Sequence, residues 1–132
     1  MMKIPKELIR RLQSNGILWK QWQAYGVTEQ TLLEVDFTFF MPSKAEKDKL
    51  VEALKDFKAT VKGGELHDED GKHDGYYVNL TFPAGVWSLH RLNDMTVQLF
   101  TLGKSISPTI DLDGCEFTMP KEKLNKHISP LQ

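Results

Sequence analysis

The stretch Leu33-Glu34-Val35-Asp36-Phe37-Thr38-Phe39-Phe40-Met41-Pro42-Ser43-Lys44-Ala45-Glu46 decides the fold. Apolar Leu33, Val35, Phe37, Phe39 and Met41 alternate with Glu34, Asp36 and Thr38, and Phe40 alone breaks the alternation. Successive side chains of a strand point to opposite faces, so this period of two predicts a half-buried strand over Leu33–Met41. Pro42 ends it. Ser43-Lys44-Ala45-Glu46 then reads as a capping box, in which the Ser oxygen accepts a first-turn N–H and the Glu reaches back. Ala45, Leu50, Val51, Leu54 and Phe57 line the inner face of the helix that follows. Lys44, Glu46, Lys47, Asp48, Lys49, Glu52, Lys55 and Asp56 form its solvated outer face.

Working outward, Lys58–Lys62 predicts a short strand with Ala59 and Val61 facing in. Gly63-Gly64 opens the acidic segment Glu65–Asp74, and Gly75 closes it. Tyr76, Val78, Leu80 and Phe82 then restore the period of two, so the pair predicts an antiparallel hairpin that Pro83-Ala84-Gly85 ends. From Trp87 to Leu102 the apolar spacing turns helical, with Gly103 as the expected stop. A last strand, Thr109–Met119, changes parity at Asp113-Gly114, as a bulge would make it do. A short helix around Leu124 and Ile128 completes the chain.

Upstream, Pro5 to Ser14 predicts a helix that Asn15-Gly16 stops, with Leu18, Trp22 and Tyr25 at helical spacing beyond it. Trp19 and Trp22 would share a face and pack on the domain. Strand, helix, strand, strand, helix, strand is a split βαβ pattern. The expected architecture is therefore α+β and ferredoxin-like: a four-stranded antiparallel sheet with two helices on one face. Residues 1–32 would be a helical extension and residues 33–132 the domain proper.

The chain has 132 residues, 40% hydrophobic and 27% charged, which excludes disordered, collagen-like and coiled-coil classes. At this length roughly two-thirds of the unfolded surface is buried on folding, enough for a core. No apolar run approaches the roughly 20 residues of a membrane helix, and Met1–Glu7 lacks a signal-peptide pattern. One cysteine, Cys115, leaves no internal disulfide and suits a cytoplasmic protein. The net charge of −1 gives no electrostatic case for nucleic acid or an anionic membrane. Its distribution is uneven. Residues 1–33 carry five basic and two acidic groups, whereas residues 63–82 hold Glu65, Asp68, Glu69, Asp70 and Asp74 against Lys72 alone.

Catalytic and cofactor signatures are missing from the sequence. No phosphate loop, dinucleotide fingerprint, nucleophile elbow or zinc-protease helix occurs, and one cysteine cannot build a thiolate zinc site. His67, Asp68, Glu69, Asp70, His73 and Asp74 form the ligand-rich cluster, but its spacing does not match a calcium loop. His90 and His127 lie elsewhere. Cys115 sits beside Asp113 and Glu116, which disfavour a thiolate. Asp36, Asp111 and Asp113 would meet if the first and last strands are neighbours, and such a cluster can do acid–base work or bind a metal or metabolite. Gly75-Tyr76-Tyr77-Val78-Asn79-Leu80 echoes an RNA-recognition strand, yet Asp74 and the acidic loop would repel phosphate.

Two stretches resemble one family. Leu33–Ser43 with the charged helix to Phe57 is similar to the first strand and helix of the regulator of ribonuclease activity B proteins. Ile110-Asp111-Leu112-Asp113-Gly114-Cys115-Glu116-Phe117-Thr118-Met119 resembles their last strand, with Cys115 where Trp is usual. Near the first motif that family has His after the Asp, where this chain has Phe37. The resemblance implies a ferredoxin-like regulator that inhibits a ribonuclease by binding it. The expectation is a non-enzymatic domain, without cofactor, metal, nucleic acid or membrane as partner. Its expected partner surface comprises Asp36, Glu65, Asp68, Glu69, Asp70, Asp74, Asp111, Asp113 and Gly114. Two other readings stand beside it. One is a small enzyme or ligand-binding domain using Asp36, Asp111 and Asp113 or the cleft beside Trp87; the other is a toxin-neutralising protein of the immunity type.

Overall fold

The computed structural model describes residues 4–118. In chain order the elements are α1 (Lys6–Ala24), β1 (Leu32–Met41), α2 (Lys44–Leu54), β2 (Thr60–His67), β3 (His73–Val86), α3 (Leu89–Ile106) and β4 (Asp111–Thr118). The four strands make one antiparallel sheet in the order β2-β3-β1-β4, which leaves β2 and β4 as its edges. The architecture is thus α+β. Met119 and the helix expected around Leu124 and Ile128 lie outside the described residues.

Strand β1 is central because its alternation is the cleanest in the chain. Leu33, Val35, Phe37 and Phe39 are fully buried beneath the helices, while Glu34, Asp36, Thr38 and Phe40 look out from the opposite, open face. Val78, Leu80 and Phe82 of β3 continue the buried face, and Phe37 meets Phe82 edge-on with ring centroids 5.9 Å apart. Helix α2 starts as its capping sequence requires: Ser43 Oγ accepts the Glu46 N–H at 3.2 Å and donates to the Glu46 carboxylate at 2.6 Å. Leu50 and Leu54 are buried and Val51 packs beside them; Ala45, expected on that face, is exposed, and the helix ends before Phe57, which still packs on the core.

Several further boundaries differ from expectation for local reasons. Helix α1 does not stop at Asn15-Gly16 but runs unbroken to Ala24. Asn15 is buried and bonded, and Gly16 is helical with no neighbour within 4 Å of where a Cβ would sit. Trp19 and Trp22, in the second half, pack on the domain as expected: both are buried, and Trp22 lies 4.6 Å from the Phe117 ring. Helix α3 likewise passes Gly103 and continues to Ile106. That glycine serves packing, since a Cβ there would stand 3.0 Å from Ile110 Cγ2.

The hairpin strands are longer than the sequence pattern implied. Gly63 and Gly64 lie within β2, opposite Val78 and Tyr77, and the Tyr77 ring covers Gly64 so closely that a Cβ would fall 2.7 Å from its Cε1. Only Asp68–Lys72 forms the tip. Strand β3 also runs on through Pro83-Ala84-Gly85. The register changes between Leu33 and Val35, which face Gly85 and Phe82, so one extra β3 residue is accommodated there as a bulge.

Candidate binding groove along the last strand

Strand β4 occupies one edge of the sheet, and its sequence sets its shape. Thr38 of β1 faces Gly114, whereas Phe39 faces Leu112, leaving Asp113 as the extra residue of a bulge. The parity change expected at Asp113-Gly114 is therefore present. It turns Leu112 and Cys115 inward on either side of the bulge, and both are buried. Asp113 is exposed, and nothing lies within 4 Å of a Cβ built on Gly114.

Helix α1 lies alongside this edge and is pinned from below. Asn15 Nδ2 donates to Asn93 Oδ1 at 3.0 Å and to Thr96 Oγ1 at 2.9 Å, both on α3. Its Oδ1 accepts from the Cys115 thiol at 3.6 Å, and Thr96 in turn donates to the Leu92 carbonyl. A buried amide with all three contacts filled fixes position and orientation, because breaking any one strands a polar group away from water. Cys115 thus serves as a buried donor. Burial, with the Glu116 charge second, pushes its pKa up to about 12, so it is no nucleophile at neutral pH.

Between α1 and β4 two adjoining hollows form. One, of about 380 Å³, is lined by Ser14, Ile17 and Leu18 of α1 and by Asp113, Gly114 and Glu116 of β4, with Thr38 visible beyond the glycine. The other, about 430 Å³, is lined by Glu7, Arg10, Arg11, Gln13 and Asp111 and shares Arg11, Ser14 and Ile17 with the first. Arg11 lies 4.0 Å from Asp111, and Ile17 is 61% exposed along the shared wall.

The residues singled out from the sequence separate into three places. Asp111, Asp113 and Gly114 line the two hollows. Asp36 is on β1, opposite Glu116, with its Oδ1 enclosed and no hydrogen-bond partner among the described residues. Phe40, opposite Asp111, is four residues further along β1, a separation of about 13 Å at strand rise. The three aspartates therefore spread along the sheet and do not converge into one carboxylate cluster.

Glu65, Asp68, Glu69, Asp70 and Asp74 lie on the hairpin at the other side of the sheet. Asp68 is consumed by the turn: its Oδ1 accepts the Asp70 and Lys72 N–H groups, each at 2.9 Å. Gly71 supplies the positive φ of +82° that completes the tip. Glu69, Asp70 and Asp74 are exposed. Glu65 reaches His67 at 3.5 Å, and His67, His73 and Tyr76 meet edge to face in turn. No group of three or more His, Cys, Asp or Glu side chains among the described residues is placed to hold a metal ion.

Trp87, beside which the sequence places a candidate cleft, is itself 2% exposed and packs on Phe37 and Phe82. The Arg91 guanidinium covers its ring at 4.2 Å and donates to the Val86 carbonyl. No family model matches this chain. No curated protein matches it either. No helix among the described residues is long and apolar enough to cross a membrane.

The groove residues of α1 were not foreseen as functional. Asn15, next to Gly16, has the composition of a helix stop, and only its burial against α3 and β4 reveals a different role. Arg11 and Ile17 carry no sequence signal beyond one basic and one apolar residue on a helix.

Proposed function

We propose that this chain is a non-enzymatic interaction domain that acts by binding another protein, with a ferredoxin-like arrangement and kinship to the regulator of ribonuclease activity B proteins. The observation that carries the proposal is the pair of adjoining hollows between α1 and β4, which gather Asp111, Asp113 and Gly114 onto one accessible edge. The order β2-β3-β1-β4 supports the ferredoxin-like assignment, because each helix crossover then skips one strand, as a split βαβ requires. The spread of Asp36, Asp111 and Asp113 along the sheet speaks against shared acid–base chemistry. A cytoplasmic setting accords with a lone, buried thiol at Cys115.

Copurification from the native cell tests the reading. A tagged chain enriches a reproducible protein partner, with a ribonuclease among the candidates, and the double substitution Asp113→Lys/Glu116→Lys abolishes that enrichment. Recovery of nothing beyond a control bait removes the basis of the proposal.

A further inference from the structure

We infer that the β4 edge accepts an extended, basic segment of a partner protein as a fifth strand. This rests on the protein-binding reading above and names the chemistry of the partner. Strand β4 pairs only with β1, and among the described residues none of its outward backbone N–H or C=O groups is taken up by another backbone group. A row of unpaired strand groups is a template for main-chain hydrogen bonding, the mode by which sheets capture peptides. Natural edges are blunted by charge, by bulges or by a covering element. This one carries a bulge and acidic side chains, and among the described residues helix α1 stands off beside it, with the hollow of about 380 Å³ between them.

The occupant follows from the side chains. Residues 111–118 contain Asp111, Asp113 and Glu116 and no basic residue. A second copy pairing through the same edge would set acid against acid, and like charges directly opposite one another destabilise a sheet. A strand with Lys or Arg at alternate positions sets one opposite Glu116 and brings the next toward Asp113 at the bulge; Arg11, which lines the same hollow, is paired with Asp111. Its intervening side chains, on the opposite face of the added strand, come to Ile17 and Leu18 of α1; small or β-branched apolar residues suit that wall. The bulge at Asp113-Gly114 limits regular pairing to the residues after it, so the match is a short segment.

The test uses the full chain and three fluorescein-labelled peptides: alternating Lys-Val, alternating Glu-Val, and Lys-Val with alternate backbone nitrogens methylated. Fluorescence anisotropy is expected to show binding of the first alone. Asp113→Lys/Glu116→Lys should weaken it about tenfold, as expected for reversing one cross-strand charge pair and one neighbouring acidic charge. Glu69→Lys/Asp70→Lys, at the hairpin tip, should change it less than about twofold, because exposed, distant charges are screened. Three results overturn the inference: equal affinity for the methylated peptide, equal sensitivity to the tip substitutions, or no binding by the Lys-Val peptide. A stable dimer in sedimentation that Asp113→Lys/Glu116→Lys dissociates also overturns it, since the edge is then occupied by a second copy. A partner that copurifies while the peptide fails would leave protein binding standing and place it away from β4.

Discussion

The two edges of the sheet carry similar acidic side chains and use them differently. At the β2–β3 side, Asp68 spends its carboxylate on two backbone N–H groups of the tip, and Tyr77 closes over Gly64. At the β4 side, Asp113 stands in a bulge with no such duty, and the polar bonding lies beneath it, in the Asn15 network. Acidity read from a sequence therefore does not locate a surface for a partner. What separates the two edges is whether the local turn already consumes the charge. The hairpin tip is held by its own turn; the β4 edge is held in place from below and, among the described residues, left open above.

The largest expected effect tests that underpinning. Asn15→Ala removes three side-chain contacts from a buried site and should cost about 2–3 kcal/mol in urea denaturation, by lost hydrogen bonds and a small void. Glu69→Ala at the exposed tip should stay within about 0.5 kcal/mol. Equal losses at both positions would erase the contrast between the edges.

Within the hairpin, Asp68 and Asp70 should themselves differ. Asp68→Ala is expected to cost about 1 kcal/mol, as loss of a side-chain cap on backbone N–H groups typically does. Asp70→Ala should be near neutral. Parity between the two would show that the tip does not depend on the Asp68 turn.

Helix α1 offers a change of opposite sign. Gly16 is helical, and a Cβ there has free space, so Gly16→Ala should raise stability by about 0.5–1 kcal/mol. A decrease would mean that the helix interrupts at Asn15-Gly16, as the residue pair alone implies.

The remaining effects concern titration. Burial raises the Glu46 carboxyl, but hydrogen bonds from Ser43, Thr109 and Ser107 outweigh it and hold the folded pKa below the ordinary glutamate value. A lowered folded value stabilises the protein above the unfolded value, and that stability is lost as pH falls through the folded one. Glu46→Gln should therefore flatten the stability profile below about pH 5. Cys115, by contrast, should resist thiol reagents at pH 8 in the native state and react on unfolding, since burial and Glu116 favour the protonated thiol.

The sheet was legible because its central strand alternates with the single exception of Phe40, Ser43 caps the helix after it, and the Asp113-Gly114 parity change marks the bulge of β4. Gly75, expected to close the acidic loop, lies within β3 instead. Element ends were harder to read, because Gly16, Gly64 and Gly103 are punctuation by composition but packing by position. Each is placed by a partner distant in sequence, or by simple lack of obstruction. For the candidate site, β4 supplied Asp111, Asp113 and Gly114 directly from its pattern. The facing wall on α1 was not readable, since its relation to β4 depends on Asn15 meeting Asn93, Thr96 and Cys115 across as many as 100 residues of chain.

The most direct test compares the two edges in one copurification experiment. Wild-type chain, Asp113→Lys/Glu116→Lys and Glu69→Lys/Asp70→Lys are tagged, confirmed to unfold at matching urea midpoints, and recovered from the native cell. The expected result is a partner retained by wild type and by the tip variant and lost by the β4 variant. Loss with the tip variant and retention with the β4 variant would place the binding surface on the hairpin and contradict the account.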